Sequence, residues 1–186
     1  MCNKEIKFGL FLEKAMESYS FKKVIMQKKY ERLYHALERN QMHQWWFTSH
    51  YHALSMLFHL FPKDAHLVEL GCSGGNILAR LQSAGFTNVL GIDKSPHAIA
   101  ACKERGLINV KEASAETTGL SSKSIRAIIA IDLFEHIPDE AAALQEWRRI
   151  LEPNGFLILF VPAFMLLWSN HDVENEHVRR YRKKEF

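Results

Sequence analysis

The chain has 186 residues, the length of one domain with a short extension. Hydrophobic residues make up 47% of the sequence and charged residues 24%, a balance that excludes a disordered, collagen-like or coiled-coil protein. The net charge of +3 is too small to predict a nucleic-acid-binding surface.

The number of cysteines and the length of the apolar runs indicate which cellular compartment the chain suits. The cysteines Cys2, Cys72 and Cys102 are odd in number and widely spaced, which argues against a disulfide scaffold or a cysteine-rich zinc module. The apolar segment Phe8–Leu12 is too short for a signal peptide. The longest uncharged apolar run, Gly155–Asn170, is shorter than the roughly 18 residues of a membrane span. We therefore expect a soluble, cytoplasmic protein without a membrane span.

The first 61 residues differ in pattern from the rest of the chain. They contain no glycine after Gly9, and their apolar residues recur at helical spacing. The residues that carry this spacing are Phe21, Val24, Ile25, Tyr30, Leu33, Tyr34, Leu37, Trp46, Leu54, Leu57, Phe58 and Phe61. We predict an N-terminal helical extension over residues 1–61 and a second domain over residues 62–186. The aromatic group Trp45–Phe47 is either core or a lid over a ligand.

From Lys63 onward, short apolar runs alternate with helical segments. The predicted strands are Leu67–Leu70, Val89–Ile92, Ile108–Val110, Ile125–Ile131 and Phe156–Val161. The predicted helices are Asn76–Ala84, a helix from Pro96 that stops at Gly106, and a helix capped by Asp139 that ends near Leu151 before a turn over Glu152–Gly155. This alternation predicts an α/β, Rossmann-like parallel sheet with helices on both faces. Ligands of such sheets bind beyond the carboxyl ends of the strands.

The loop after the first predicted strand is rich in glycine but matches neither common phosphate-binding motif. Ser73 and Asn76 occupy the second and third glycine positions of Gly-x-Gly-x-x-Gly, and no Gly-Lys-Ser/Thr follows. Glu69, just before the loop, would repel a pyrophosphate but suits a cationic ligand. Asp93 lies 93 − 71 = 22 residues after Gly71, a spacing at which an acid accepts hydrogen bonds from ribose hydroxyls. The alternative for Asp93 is a solvated loop residue.

Four segments, in this order and spacing, resemble the motifs of class I S-adenosylmethionine-dependent methyltransferases. They are Val68–Gly75, Gly91–Pro96, Ile131–Ile137 and Leu151–Leu157. Three further segments are similar to a bacterial subgroup related to the quinone-biosynthesis enzymes: Met42–Tyr51, Trp168–Asp172 and His177–Tyr181. The four-motif resemblance covers about residues 66–163. It implies S-adenosylmethionine as cofactor and a small-molecule methyl acceptor.

The resemblance implies cofactor-binding roles for residues that follow the strands. Glu69 and Asp132 would meet the positively charged methionine end of the cofactor. Gly71 and Gly75 would let the backbone pass beside the ligand, and Asp93 would hold the ribose. The other members of the implied set are Cys72, Ser73, Lys94, Ser114, Ala115 and Glu116. Two of them depart from the family pattern, since Ser73 replaces a glycine and Ser114 replaces the acid expected to meet the adenine.

His136 is the residue that we nominate as catalytic. A histidine titrates near physiological pH and can take a proton from a hydroxyl nucleophile. The alternative is a helix-start histidine that is hydrogen-bonded to the backbone. Methyl transfer from a sulfonium depends mainly on positioning, because the donor is already activated. A non-catalytic cofactor-binding or structural protein that keeps this fold is the alternative function.

The segment after the fifth predicted strand is rich in residue types that orient a polar or anionic substrate beside an aromatic wall. The predicted substrate residues are Trp168, His171, His177, Arg180 and Tyr181. The alternative is a surface helix with scattered charges. Neither the histidines between 43 and 59 nor the group around 171–177 contains the His-Glu-x-x-His pattern, and we expect no metal site.

The chain ends soon after the fifth predicted strand. The family fold has two further strands, so the resemblance implies a sheet of order 3-2-1-4-5 that lacks strands six and seven and is truncated at the C-terminus. The fifth strand would then be an exposed edge. We expect self-association through this edge, or its cover by the N-terminal helices.

Overall fold

The computed structural model describes residues 21–27, 50, 54–55 and 58–185, with residues 21–27 described by their backbone alone. The strands are β1 (Phe21–Gln27), β2 (Leu67–Leu70), β3 (Val89–Asp93), β4 (Val110–Glu112), β5 (Ile125–Ile131) and β6 (Leu151–Val161). The helices are α1 (Asn76–Ser83), α2 (Pro96–Glu104), α3 (Glu140–Ile150) and the short α4 (Asn170–Glu174). Short 3₁₀ turns cover Phe58–Leu60, Phe134–His136, Met165–Leu167 and Lys183–Glu185.

The strands form one sheet in the order β1-β6-β5-β2-β3-β4, and every pair is parallel. Without β1, this is the predicted order 3-2-1-4-5, so the predicted fold class is confirmed. Neighbouring residues of β5 and β6 pack into different clusters, because successive side chains of a strand point to opposite faces. Ile129 and Ile158 pack with Leu78, whereas Ile128 and Leu159 pack on the other face with Trp147.

Two boundaries differ from the predictions. The third strand was predicted over Ile108–Val110 but runs over Val110–Glu112, and Ile108 is 83% exposed. The predicted turn Glu152–Gly155 lies within β6 as an irregularity, because Leu151 pairs with Ile125 whereas Phe156 pairs with Ala127. Asn154 takes a φ of 60° there, so the turn residues make a bulge rather than a separate loop.

The largest difference between the predicted and the observed elements lies in the N-terminal region. Helical spacing predicted a helix that includes Phe21, but Phe21–Gln27 is a strand that pairs in parallel with β6, from Gly155 to Val161. A run that includes valine and isoleucine also suits a strand, and the open edge of β6 offers it backbone partners. The edge of β6 that we predicted to be exposed is therefore covered, by a strand instead of helices, and self-association through it loses its basis.

The rest of the predicted N-terminal extension is described only in part. His50 and Leu54 have helical backbone and are buried. The aromatic group Trp45–Phe47 lies outside the described residues. No helix in the described part of the chain is both long enough and apolar enough to cross a membrane.

Gly75 shows how tightly the glycine loop packs. It caps α1 in the left-handed conformation at φ 77°, and a Cβ there would lie 2.4 Å from Leu107 Cδ1 and 2.9 Å from Cys102 Sγ. Gly106 has a similar φ of 78°, but no atom lies within 4 Å of a Cβ built there. The two glycines therefore share the backbone constraint and differ in the space around them.

We expect Gly75→Ala to lower the free energy of unfolding by about 1–3 kcal/mol more than Gly106→Ala does, because only the first adds a clash in a packed core. Urea denaturation of the two variants measures the difference. Both substitutions change the unfolded chain equally, so an equal loss would contradict the packing assigned to Gly75.

Candidate functional site

Three acidic residues lie at the carboxyl ends of strands, at the same edge of the sheet. Glu69 lies near the end of β2, Asp93 ends β3, and Asp132 follows β5. Parallel strands place their carboxyl ends together, so the edge brings these acidic side chains near one another. The repulsion between Glu69 and Asp93 contributes to the raised pKa of Glu69. A cationic ligand at this edge would favour the ionised forms of the acidic groups, and the role of Glu69 in binding it stays a prediction.

The glycine loop between β2 and α1 is held by backbone and side-chain hydrogen bonds. The amides of Gly71 and Cys72 donate to the carbonyl oxygen of Ile92, at 2.8 and 3.0 Å. On the other side, the Cys102 thiol donates to the Ser73 carbonyl at 3.1 Å. The Arg105 guanidinium donates to the carbonyl of Gly74 and, at 2.9 Å, to the side chain of Asn76. Helix α2 and the turn after it thus fix the loop's carbonyls.

Asp93 joins this loop to the loop after β3. Its Oδ2 accepts the amide of Ser73 and its Oδ1 the amide of Ser95, both at 2.9 Å. The carboxylate is half-buried, and its two oxygens have capacity for further hydrogen bonds. Ser73, which replaces a family glycine, takes a φ of 46°, and Lys94 is exposed beside Asp93. This geometry is compatible with the predicted ribose contact.

Glu69 is a buried carboxyl group with an unsatisfied oxygen. Burial raises its pKa from 4.5 to about 8, an amide hydrogen bond from Leu78 partly offsets this, and Asp93 adds to the rise. Its Oε2 has no hydrogen-bond partner among the residues that the structure describes. A buried polar atom without a partner is costly, so this position fits a ligand that brings a cation or a donor.

The loop after β4 is held by hydrogen bonds between its own residues. The Ser114 hydroxyl donates to the Glu116 carboxylate, and the Glu116 amide donates back to Ser114 Oγ at 3.3 Å. The carbonyl of the buried Ala115 accepts a hydrogen bond from Trp147 Nε1 at 2.9 Å. Helix α3 therefore holds Ala115, which lies between Ser114 and Glu116 in the implied cofactor-binding set.

Asp132 is joined by a histidine that the sequence did not assign to the site. Asp132 takes a φ of 47° at the end of β5, and its amide donates to the carbonyl of Phe160 at 3.0 Å. His50 Nε2 lies 3.7 Å from Asp132 Oδ2, and the His50 ring packs on Phe160 at 5.0 Å between centroids. His50 lies in Met42–Tyr51, one of the segments similar to the bacterial subgroup, but that resemblance assigned no role to this histidine.

His136, the predicted catalytic residue, lies in the 3₁₀ turn after β5. Its imidazole is half-buried, and its pKa is lowered below 6.5 by burial and by the neighbouring His177, against the opposing effect of Asp132. The rings of His136 and His177 lie 4.7 Å apart between centroids and nearly perpendicular. The structure thus brings together a predicted catalytic residue and a predicted substrate residue, with the buried Glu135 next to them.

Two other predicted substrate residues are engaged within the fold. Arg180 is buried and binds the fully buried Asp172 through two hydrogen bonds of 2.6 and 2.7 Å. The hydroxyl of the buried Tyr181 donates to Glu140 Oε1 at 2.7 Å, and its oxygen also lies 3.1 Å from the Phe134 carbonyl oxygen. Tyr181 therefore ties the segment after β6 to the rest of the domain, whereas Arg180 holds α4 within that segment.

The remaining two predicted substrate residues are more accessible. Trp168 is half-buried between the 3₁₀ turn Met165–Leu167 and α4. His171 is exposed on α4, and its ring centroid lies 6.4 Å from that of His177. Of the predicted set, Trp168 and His177 are thus half-buried and His171 is exposed, whereas Arg180 and Tyr181 are buried.

Comparisons with known proteins agree with the fold and the motifs. Residues 68–159 match the family model described as a methyltransferase domain. The chain is 33% identical over 104 residues to a ubiquinone biosynthesis O-methyltransferase of Histophilus somni, covering 50% of this chain and 43% of that protein. It is 30% identical over 132 residues to human EEF1A lysine methyltransferase 2, covering 63% of this chain and 54% of that protein.

Among solved structures, the crystal structure of the YcgJ protein from Bacillus subtilis has a TM-score of 0.59 at 21% identity. The match covers 73% of this chain and 64% of that one. At this identity the likeness shows the fold alone. The chain spans about half the length of the curated relatives that it matches, 43% and 54% in the two given above.

We expect the Glu69→Gln variant to differ from the wild type in how its stability depends on pH. The pKa of Glu69 is about 8 in the folded protein against an ordinary value of 4.5, so the folded state keeps a proton that the unfolded state loses. Wild-type stability therefore falls as the pH rises from 4.5 to about 8. Glutamine removes this contribution, so the variant should gain about 1 kcal/mol or more relative to the wild type over this range.

Urea denaturation of both proteins across that pH range measures the difference between their free energies of unfolding. The other titrating groups are common to both proteins and cancel. Parallel curves would contradict the raised pKa of Glu69.

Proposed function

Because residues 68–159 belong to the class I S-adenosylmethionine-dependent methyltransferase family, we propose that this domain transfers a methyl group from S-adenosylmethionine to a small-molecule acceptor. The observation that carries the proposal is the buried, unsatisfied Glu69 oxygen at an edge that also holds Asp93 and Asp132. A ligand that carries a sulfonium and an ammonium group would be attracted by these three acidic side chains. The similarity to an O-methyltransferase of ubiquinone biosynthesis supports a small-molecule acceptor.

The residues at the strand ends fit the cofactor. Glu69 and Asp132 would hold its cationic methionine end, and Asp93 would accept hydrogen bonds from its ribose. Gly71 would let the backbone approach the ligand, and the space beside it is already tight, because a Cβ built there would lie 3.0 Å from Leu133 Cδ1. The remaining binding residues are Cys72, Ser73, Gly75, Lys94, Ser114, Ala115 and Glu116. When bound, the cofactor supplies a methyl group on a positively charged sulfur, which is already activated for transfer.

We assign His136 to the acceptor side of the reaction. Its lowered pKa leaves the imidazole neutral near pH 7, so it can accept a hydrogen bond or a proton from an acceptor hydroxyl. Asp132 opposes the lowering of the His136 pKa, so the imidazole lies near one of the proposed cofactor residues. Trp168, His171 and His177 would line the acceptor pocket, with Arg180 and Tyr181 holding the segment in place.

We expect Asp93→Ala to weaken the binding of S-adenosylhomocysteine, because it removes a charge-assisted hydrogen bond to the ribose. Such a bond is worth about 1.5–3 kcal/mol, so the dissociation constant should rise about tenfold or more. Glu112→Ala is the matched control, since Glu112 pairs with Asp93 in register and is an exposed carboxylate at the same edge.

Isothermal titration calorimetry measures both affinities, and circular dichroism checks that the loops bridged by Asp93 remain folded. An unchanged affinity in folded Asp93→Ala, or an equal loss in Glu112→Ala, would contradict the ribose assignment. If S-adenosylhomocysteine does not bind the wild type, the proposed function itself is wrong.

We expect Trp168→Ala to raise the KM for a methyl acceptor by about tenfold while leaving the affinity for S-adenosylhomocysteine unchanged. Leu166→Ala is the control, because Leu166 is 93% exposed in the same segment. Transfer of labelled methyl from S-adenosylmethionine to a panel of hydroxylated aromatic compounds measures turnover. Cofactor binding without turnover on any acceptor would favour the non-catalytic alternative.

A further inference from the structure

Three potential metal ligands from two distant segments meet beside the predicted catalytic residue. Glu135 and His136 lie in the 3₁₀ turn after β5, and His177 follows α4. One ligand atom from each of these residues lies within 4.8 Å of the other two. Glu135 is buried and both histidines are half-buried, so the cluster lies partly within the protein rather than on an open surface.

The two segments are fixed to one another. The amide of Val178 donates to the carbonyl of Glu135 at 2.9 Å, which ties the residue after His177 to the 3₁₀ turn. The nearly perpendicular rings of His136 and His177 are in contact at 4.7 Å between centroids. The closeness of the three side chains therefore depends on backbone pairing as well as on side-chain conformation.

His177 is oriented by a buried carboxylate. Its Nδ1 lies 2.9 Å from Asp172 Oδ1, and Asp172 is fully buried. Arg180 binds both oxygens of Asp172 and so holds the carboxylate in place. A histidine whose Nδ1 is bound to a carboxylate offers its Nε2 as a ligand, which is the usual arrangement behind metal-binding histidines.

We propose that Glu135, His136 and His177 form a binding site for a divalent transition-metal ion such as Zn²⁺. Two imidazoles and one carboxylate are donors that Zn²⁺ and its neighbours in the first transition row prefer, whereas Mg²⁺ and Ca²⁺ prefer oxygen ligands. Three protein ligands also leave a coordination position open, as in catalytic zinc sites. The proposed metal site depends on these three side chains alone, and metal binding does not depend on methyl transfer.

A bound ion would change the role of His136 in the proposed function. An acceptor oxygen at the open position would be made more acidic by the ion. His136 would then act as a ligand and not as a free base. This role rests on the proposed methyl transfer, whereas metal binding is tested without it.

The test is metal binding to the full chain after treatment with EDTA. Calorimetric titration should show one equivalent of Zn²⁺ bound, with Mg²⁺ at least about 100-fold weaker because the donors include two imidazoles. Co²⁺ should give visible absorption when its water ligands are replaced by these side chains. Glu135→Gln, His136→Ala and His177→Ala should each weaken Zn²⁺ binding about tenfold or more.

His171→Ala is the matched control, because His171 lies on α4 near His177 but outside the cluster. It should leave Zn²⁺ affinity unchanged. Asp172→Asn should weaken Zn²⁺ binding about tenfold or more while the affinity for S-adenosylhomocysteine, measured on the same sample, stays unchanged. That second readout separates a positioning role from loss of the fold.

Absence of Zn²⁺ binding to the wild type would overturn the proposal and leave the proposed function standing. Binding that persists in the three ligand variants, or that is lost in His171→Ala, would also overturn it, because the ion would then lie elsewhere. Circular dichroism and S-adenosylhomocysteine affinity show whether each variant is folded. Glu135→Gln preserves the shape of the side chain, so it gives a decisive result if a histidine variant does not fold.

Discussion

The central strand β2 pairs in parallel with β3 on one side and with β5 on the other, and this pairing decides where the functional side chains lie. Glu69 of β2 is in register with Gly91 of β3 and Ile129 of β5. A side chain at Gly91 would lie 3.0 Å from Cys72 Sγ, so glycine there lets the loop after β2 pack on β3. With the strands in this register, the acids that follow them share one edge of the sheet.

Placing carboxylates together costs stability that a ligand can recover. Glu69 holds a proton up to a pH of about 8 because burial and Asp93 both disfavour its charge. Two residues near this edge, Ser73 and Asp132, also take positive φ values, which are strained for side chains other than glycine. A cationic ligand relieves the electrostatic part of this cost. Under the proposed function, the features that weaken the unliganded domain would favour a positively charged cofactor.

The sequence predicted the parts of the molecule that local chemistry determines. The strand Ile125–Ile131 was predicted to the residue because β-branched residues dominate it. The assignment of Asp93 to the ribose, which rests on the spacing between a glycine loop and an acid, stays a prediction. The strand Phe21–Gln27 was predicted as a helix, since seven residues fit either period and only the open edge of β6 decides between them. The contact of His136 with His177, 177 − 136 = 41 residues apart, depends on tertiary packing that no spacing rule contains.

The ion pair of Asp172 with Arg180 organises the segment after β6. In the sequence, Arg180 belongs to a segment that suggests either a site for a polar or anionic substrate or a surface helix with scattered charges. In the fold it is buried, and it neutralises a carboxylate that binds His177. A buried ion pair contributes little net stability compared with apolar residues, because both charges lose their hydration. This ion pair contributes orientation instead. Arg180 holds the Asp172 carboxylate, which binds the His177 ring beside His136. The charged residues of this segment therefore act on the site indirectly, through the position of one imidazole.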